Sequence, residues 1–193
     1  MSKKKTEILF DLAEQNDGYV SVASAQENGI AQTYLSLACE SGLFAKVSKG
    51  LYLKRGYEHD PFYELAFRYR KCVFALRSAL YLHGLSDVCT YEIHLPLNYQ
   101  NKGIEGASVR HVGEKEYGVG QILAVTPHGN LVNTYSIERC MVDLLRRNQE
   151  FAKEEFVDIW LRAKKKNPYP EVLRHIAQAF HVEGELDLMN RLY

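Results

Sequence analysis

The chain has 193 residues, 46% of them hydrophobic, and its 24 Lys and Arg side chains balance 24 Asp and Glu to a formal net charge of zero. That length buries about 70% of the unfolded surface as one domain or two small ones, and the charge balance excludes a long one-signed field that would advertise a polyanionic partner. No apolar run reaches the length of a membrane span, the polar N-terminus M-S-K-K-K-T-E does not read as a secretory signal, and Cys39, Cys72, Cys89 and Cys140 lack metal-type spacing, so a reduced cytoplasmic protein is expected.

The first predicted element is an amphipathic helix from Lys4 to Gln15, with Ile8, Leu9, Leu12 and Ala13 on one stripe. Asn16-Asp17-Gly18 ends it, Tyr19-Val20 suffices for a short strand, and Ser21 or Ser24 caps a second helix through Glu27 that Asn28-Gly29 terminates. A third helix is expected from about Ala31 to Ser41. Its apolar residues Ile30, Leu35, Ala38 and Cys39 fall at helical spacing, and Gly42 stands where a left-handed C-terminal residue is wanted. The period then changes to two. Leu43, Ala45 and Val47 share one side, Ser48-Lys49-Gly50 turns, and Leu51-Tyr52-Leu53 returns.

Helix, short strand, helix, tight turn, helix and hairpin is the order of a winged helix-turn-helix, which lays its third helix in the DNA major groove. With Leu35 and Ala38 facing inward, Gln32, Thr33, Tyr34 and Ser36 are the expected base readers: Gln bonds an adenine edge in two places and Thr meets a thymine methyl. Lys46, Ser48 and Lys49 of the wing are expected to hold phosphates or enter the minor groove, and Lys3, Lys4 and Lys5 to extend the grip as a flexible arm. Residues 1–55 carry seven basic against six acidic side chains, a net of only +1, and the third helix holds no Lys or Arg. Modest affinity per monomer follows, made up by dimerisation, cooperativity or the rest of the chain.

Gly, Pro and charged residues at 56–62 suit a linker, dividing the chain into a winged helix-turn-helix domain at 1–57 and an α+β domain at 62–193. In the second part a helix from Tyr63 to Lys71 and a brief extended piece at Val73-Phe74-Ala75 precede a short helix opened by Ser78 and closed by Gly84. Strands follow at Tyr91–Leu97, Ala107–Val112, Gln121–Thr126 and Val132–Tyr135. From Ser136 the helical period returns, with Ile137, Cys140, Met141 and Leu144 on one stripe and Glu138, Arg139, Arg146 and Arg147 facing out. Helices at Phe151–Lys166, Pro170–Phe180 and Leu186–Leu192 complete a mixed domain with a small sheet and C-terminal helices. The basic run ending at Lys164, Lys165 and Lys166 favours its helix dipole, and with Arg146 and Arg147 it is a candidate for additional phosphate contacts.

Catalysis is the weaker expectation. His83 stands at a helix C-terminus, where it bonds the last carbonyls, and Glu92 and His94 alternate with Ile93 and Leu95 as the polar face of a strand. With Glu105 these two are the conceivable nuclease ligands; glycine-rich phosphate loops, G-x-S-x-G, H-E-x-x-H and paired cysteines are all missing, and neither metal nor cofactor is expected.

The stretches S-A-L-Y-L-H-G-L-S-D at Ser78–Asp87, E-I-H-L-P-L at Glu92–Leu97, Y-S-I-E-R-C-M-V-D-L-L-R at Tyr135–Arg146 and the wing ending K-G-L-Y at Lys49–Tyr52 resemble the AbiEi antitoxins of bacterial abortive-infection systems, over nearly the whole chain and in order. The resemblance implies an N-terminal winged helix that represses its own operon at inverted repeats in double-stranded DNA. It also implies an antitoxin that counters a co-encoded nucleotidyltransferase toxin in a type IV arrangement, without a stable complex. A module that neutralises its partner by direct contact is the alternative.

Overall fold

Helix α1 (Lys3–Glu14) begins the part of the chain described by the computed structural model, which covers residues 3–100, 104–166 and 169–193. Two units result: the chain up to Arg70 together with Val125–Leu131, and Lys71–Ala124 together with Val132–Tyr193. The architecture is mixed α+β with two small sheets. Among the described residues no helix is long and apolar enough to cross a membrane.

In the first unit α1 ends where Asp17 and Gly18 both take positive φ, and Gly18 is required there, since a Cβ would lie 2.4 Å from the Tyr57 ring. Strand β1 (Tyr19–Ser21) leads into α2 (Val22–Glu27), whose N-cap Ser21 and residue Ser24 form a reciprocal capping box. Helix α3 (Gln32–Glu40) follows, then β2 (Phe44–Ser48) and β3 (Leu51–Lys54), in a three-stranded antiparallel sheet of order β1-β3-β2.

The sheet is covered on both faces. Val20, Tyr52 and Phe44 pack with Leu9, Leu12, Ala25, Leu35 and Ala38 of the three helices. Tyr19, Leu51 and Leu53 point the other way, onto Tyr63 and Phe67 of α4 (Pro61–Arg68). Helix α4, expected at Tyr63 to Lys71 beyond a linker, thus belongs to the first unit and starts earlier, because Asp60 caps it and Pro61 occupies its first position.

Asp60 is 0% exposed. Its Oδ1 accepts from the Tyr63 N–H at 3.1 Å, and its Oδ2 accepts from the Thr126 hydroxyl at 2.5 Å and the Asn130 amide at 2.8 Å. The Asp60 N–H donates to the Tyr19 hydroxyl at 2.7 Å, and that hydroxyl donates to Glu64 at 2.9 Å. One carboxylate therefore seats α4 and binds the 125–131 turn.

The second unit is built on a five-stranded sheet of order β6-β5-β4-β8-β7, from β4 (Val73–Phe74), β5 (Glu92–Pro96), β6 (Ser108–Val112), β7 (Gln121–Val125) and β8 (Leu131–Tyr135). Its helices are α5 (Leu76–Leu82), α6 (Glu114–Gly118), α7 (Ile137–Arg146), α8 (Lys153–Lys166), α9 (Pro170–Phe180) and α10 (Glu183–Leu192), with a 3-10 turn at Asn148–Glu150. The expected outward face of α7 is not there: every residue from Glu138 to Leu145 is buried, since α5, α8, α9 and α10 all pack on this helix.

Arg139, 0% exposed, is tolerated in that interior because its Nε donates to Asp143 at 3.0 Å and its Nη1 to the carbonyls of Glu116 and Val119 at 2.8 and 2.7 Å. The Tyr135 and Phe180 rings flank its guanidinium at 4.3 and 4.4 Å.

Replacing Asp60 with Ala strips the cap from α4 and leaves the Thr126 and Asn130 donors buried without an acceptor. The expected loss is about 2–4 kcal/mol, from a cap of about 1 and a desolvation penalty of about 1–3, measured as a lower urea midpoint for the first unit.

Candidate nucleic-acid interface

The exposed face of α3 follows from its inward residues. Leu35 and Ala38 are 0% exposed, so a helix of this pitch turns Gln32, Thr33, Ser36, Leu37 and Glu40 to solvent. Tyr34 is half-buried, with the Lys5 ammonium 3.9 Å above its ring. The N-cap is Ala31, which offers no side-chain acceptor, and the positive end of the helix dipole is left facing solvent beside the three leading residues.

Lys4 and Lys5 lie in the first turn of α1, not on a flexible arm, and Lys3 opens that helix, its side chain outside the described residues. Cations in a first turn oppose the dipole by about 0.3–1 kcal/mol each, a cost met here by packing of the helix's apolar stripe. Lys4 is exposed.

The hairpin departs from simple alternation. Lys46 pairs with Tyr52 and Ser48 with Leu51, so Val47 is an extra residue, a β-bulge. Phe44 rather than Leu43, Ala45 and Val47 takes the deeply buried place, and beyond the bulge the facing flips. Lys46 is exposed, and its charge works against the burial that raises the Cys39 thiol. Ser48 is only 8% exposed and its hydroxyl is enclosed without a hydrogen-bond partner among the described residues, so the bulge turns it away from solvent. Lys49 stands exposed at the tip beside Gly50, whose φ of 84° the tight turn needs. Lys54 is occupied by Glu14 at 3.0 Å and by the Phe10 ring at 4.5 Å.

The cations expected to add phosphate contacts from the second unit have local partners. Arg146 binds Glu116 at 3.0 Å and Asp143 at 3.1 Å, and Arg147 binds Glu150 at 3.2 Å and approaches Glu116 at 3.6 Å. The Lys166 ammonium donates to the His83 carbonyl at 2.8 Å, capping the end of α5. Lys164 and Lys165 are exposed.

Of the residues of the catalytic alternative, His94 is buried, His83 and Glu92 are half-buried and Glu105 is exposed. The His83 backbone N–H bonds its own helix at Ala79, but its ring turns elsewhere: Nε2 donates to the Tyr135 carbonyl at 2.6 Å, and burial lowers its pKa. The strand holding Glu92 and His94 has no solvated face: His94 is 1% exposed. Parallel pairing of β5 with β6 sets Glu92 beside Ser108 and His94 beside Arg110 on one sheet face, where all four line a polar cavity of about 70 Å³ with Glu150. The Tyr135 hydroxyl donates toward the carbonyls of Glu116 and Tyr117, so His94 Nδ1 donates to that hydroxyl, at 3.2 Å. Burial, reinforced by Arg139, lowers the His94 pKa to about 3, and burial raises that of Glu92. A histidine so weakly basic is a poor proton acceptor at neutral pH. Glu105 is exposed in a turn and does not line this cavity. Among the described residues no three His, Cys, Asp or Glu side chains converge as a metal ion requires.

Periodicity alone missed Leu37, 45% exposed in the middle of the candidate reading face, and Ser108 and Arg110, which only strand register brings to His94. No family model matches the chain, and no curated protein matches it.

His94 makes stability acid-sensitive in a defined direction. Its folded pKa lies below its ordinary value of 6.5, so its contribution is complete above pH 6.5 and is lost as pH falls toward 3. Against a His94→Gln variant, the wild-type chain should lose an additional ~1.4 kcal/mol per pH unit below 6.5, read from urea midpoints between pH 7 and 4.5.

Proposed function

We propose that the chain is a sequence-specific duplex-DNA-binding repressor whose first unit is a winged helix-turn-helix. The observation that carries this reading is the solvent-facing side of α3, Gln32, Thr33 and Ser36, followed by a hairpin on which Lys46 and, at the tip, Lys49 are exposed. The amide and hydroxyl groups suit base edges in the major groove, while Lys4, Lys5, Lys46 and Lys49 suit phosphates. Neutral composition does not oppose it, because Lys4 in the N-terminal turn and Lys46 and Lys49 in the hairpin are all exposed.

The resemblance to the AbiEi antitoxins supplies the second half of the reading. The protein works in the cytoplasm, represses its own operon at inverted repeats and counters a co-encoded nucleotidyltransferase toxin, acting by binding rather than catalysis. Neutralisation by direct contact is the second reading. It is favoured by an apolar groove of about 400 Å³ in the second unit, where Leu188 and Leu192 are 54% and 62% exposed. Co-purification of the neighbouring gene product through gel filtration would select it, and restored growth of toxin-expressing cells without such a complex would select the first.

On DNA, Lys49→Ala should weaken binding to every duplex alike and reduce the salt slope by about one unit, whereas Gln32→Ala should cost roughly 1–3 kcal/mol at particular bases only. Gel shifts across a salt series separate the two, and equal losses on all sequences for both variants would remove the distinction between reader and gripper.

A further inference from the structure

The nine residues of α3 are Q-T-Y-L-S-L-A-C-E, none of them Lys or Arg. The commonest specific contact in the major groove is Arg or Lys to the two acceptors of guanine, and this helix cannot make it. The Lys5 ammonium near its start is held over the Tyr34 ring, on the helix flank. The outward face offers instead one carboxamide, two hydroxyls, the Thr33 methyl and the isobutyl group of Leu37, which is 45% exposed. Thr33 and Leu37 are four residues apart, on the same side of the helix and about 6 Å apart along its axis, close to two base-pair steps.

We infer that α3 reads a short run of A·T pairs, with Leu37 and Thr33 against thymine methyl groups and Gln32 on an adenine edge. This rests on the DNA-binding reading above and assigns Leu37 a specificity-determining role. Thymine is the base that presents a methyl group in the major groove, and an apolar side chain gains by covering it. The same Leu37 gains nothing against the polar edges of guanine, cytosine or adenine, so its exposure discriminates among bases without any hydrogen bond. Glu40, one turn further on, carries the wrong sign for phosphate and marks the end of the reading face.

The test replaces thymine by deoxyuridine, which deletes the methyl and leaves every hydrogen-bonding edge intact. Duplexes are first selected from a random-sequence pool by the full chain, then each thymine of the shared core is replaced singly. The selected core should be A·T-rich, and at one or two positions the change should weaken wild-type binding about fourfold, the equivalent of one buried methylene at about 0.8 kcal/mol. Leu37→Ala, with an unchanged melting temperature since the side chain is exposed, should bind thymine and deoxyuridine duplexes equally at one of those positions. A core of G·C pairs, or a wild-type chain indifferent to every deoxyuridine, overturns the inference while the repressor reading survives. Failure to retain any duplex at low salt overturns the repressor reading itself, and this inference with it.

Discussion

Asp60 is the point on which the first unit turns. An ionised carboxylate withdrawn from water is costly unless hydrogen bonds replace its hydration, and here three neutral donors do so: the Tyr63 amide, the Thr126 hydroxyl and the Asn130 side chain. The cap also sets where α4 starts, and therefore which of its residues meet the sheet. Tyr63 and Phe67 cover Tyr19, Leu51 and Leu53, so the hairpin has a packed second face rather than a solvated one. The orientation of Lys46 and Lys49 rests on that packing, several bonds away from either lysine.

The second unit solves the same problem with the opposite charge. Arg139 lies inside a helix wrapped by other helices, and its neighbours take up its charge in different ways: Asp143 by ion pairing, two carbonyls near α6 by hydrogen bonding, two aromatic rings by their electron-rich faces. Glu116 and Asp143 draw Arg146 into the same cluster. Charges that look available for a polyanion in a helical projection are thereby committed to holding α6 against α7.

Helix positions in the first unit are legible because local signals agree there: an apolar stripe at Ile8, Leu9, Leu12 and Ala13, a serine cap at Ser21, glycines at 29 and 42 that take positive φ. Agreement of that kind needs no tertiary information. What periodicity could not show depends on tertiary or cross-strand context. The bulge at Val47 changes which hairpin residues face water, so Ser48 and Lys46, two apart, do not share a side. The burial of Arg139 depends on helices that follow it in the chain, and polar residues alternating in β5 look solvated until β6 and Glu150 are placed around them. For the candidate interface, the outward set on α3 could be read from Leu35 and Ala38 alone, and the apolar stripe that predicts a helix from Lys4 already places Lys4 and Lys5 in it, so the flexible arm expected of the same lysines is at odds with that helix.

The turn that carries Thr126 and Asn130 is reached only after the chain has left the first unit at Arg70 and entered the second. The N-terminal fold is thus not a contiguous cassette: a segment excised at Arg70 would carry Asp60 without either of its distant donors. Recombination could not transplant this module by one junction, and any graft would have to bring residues 125–131 along with it.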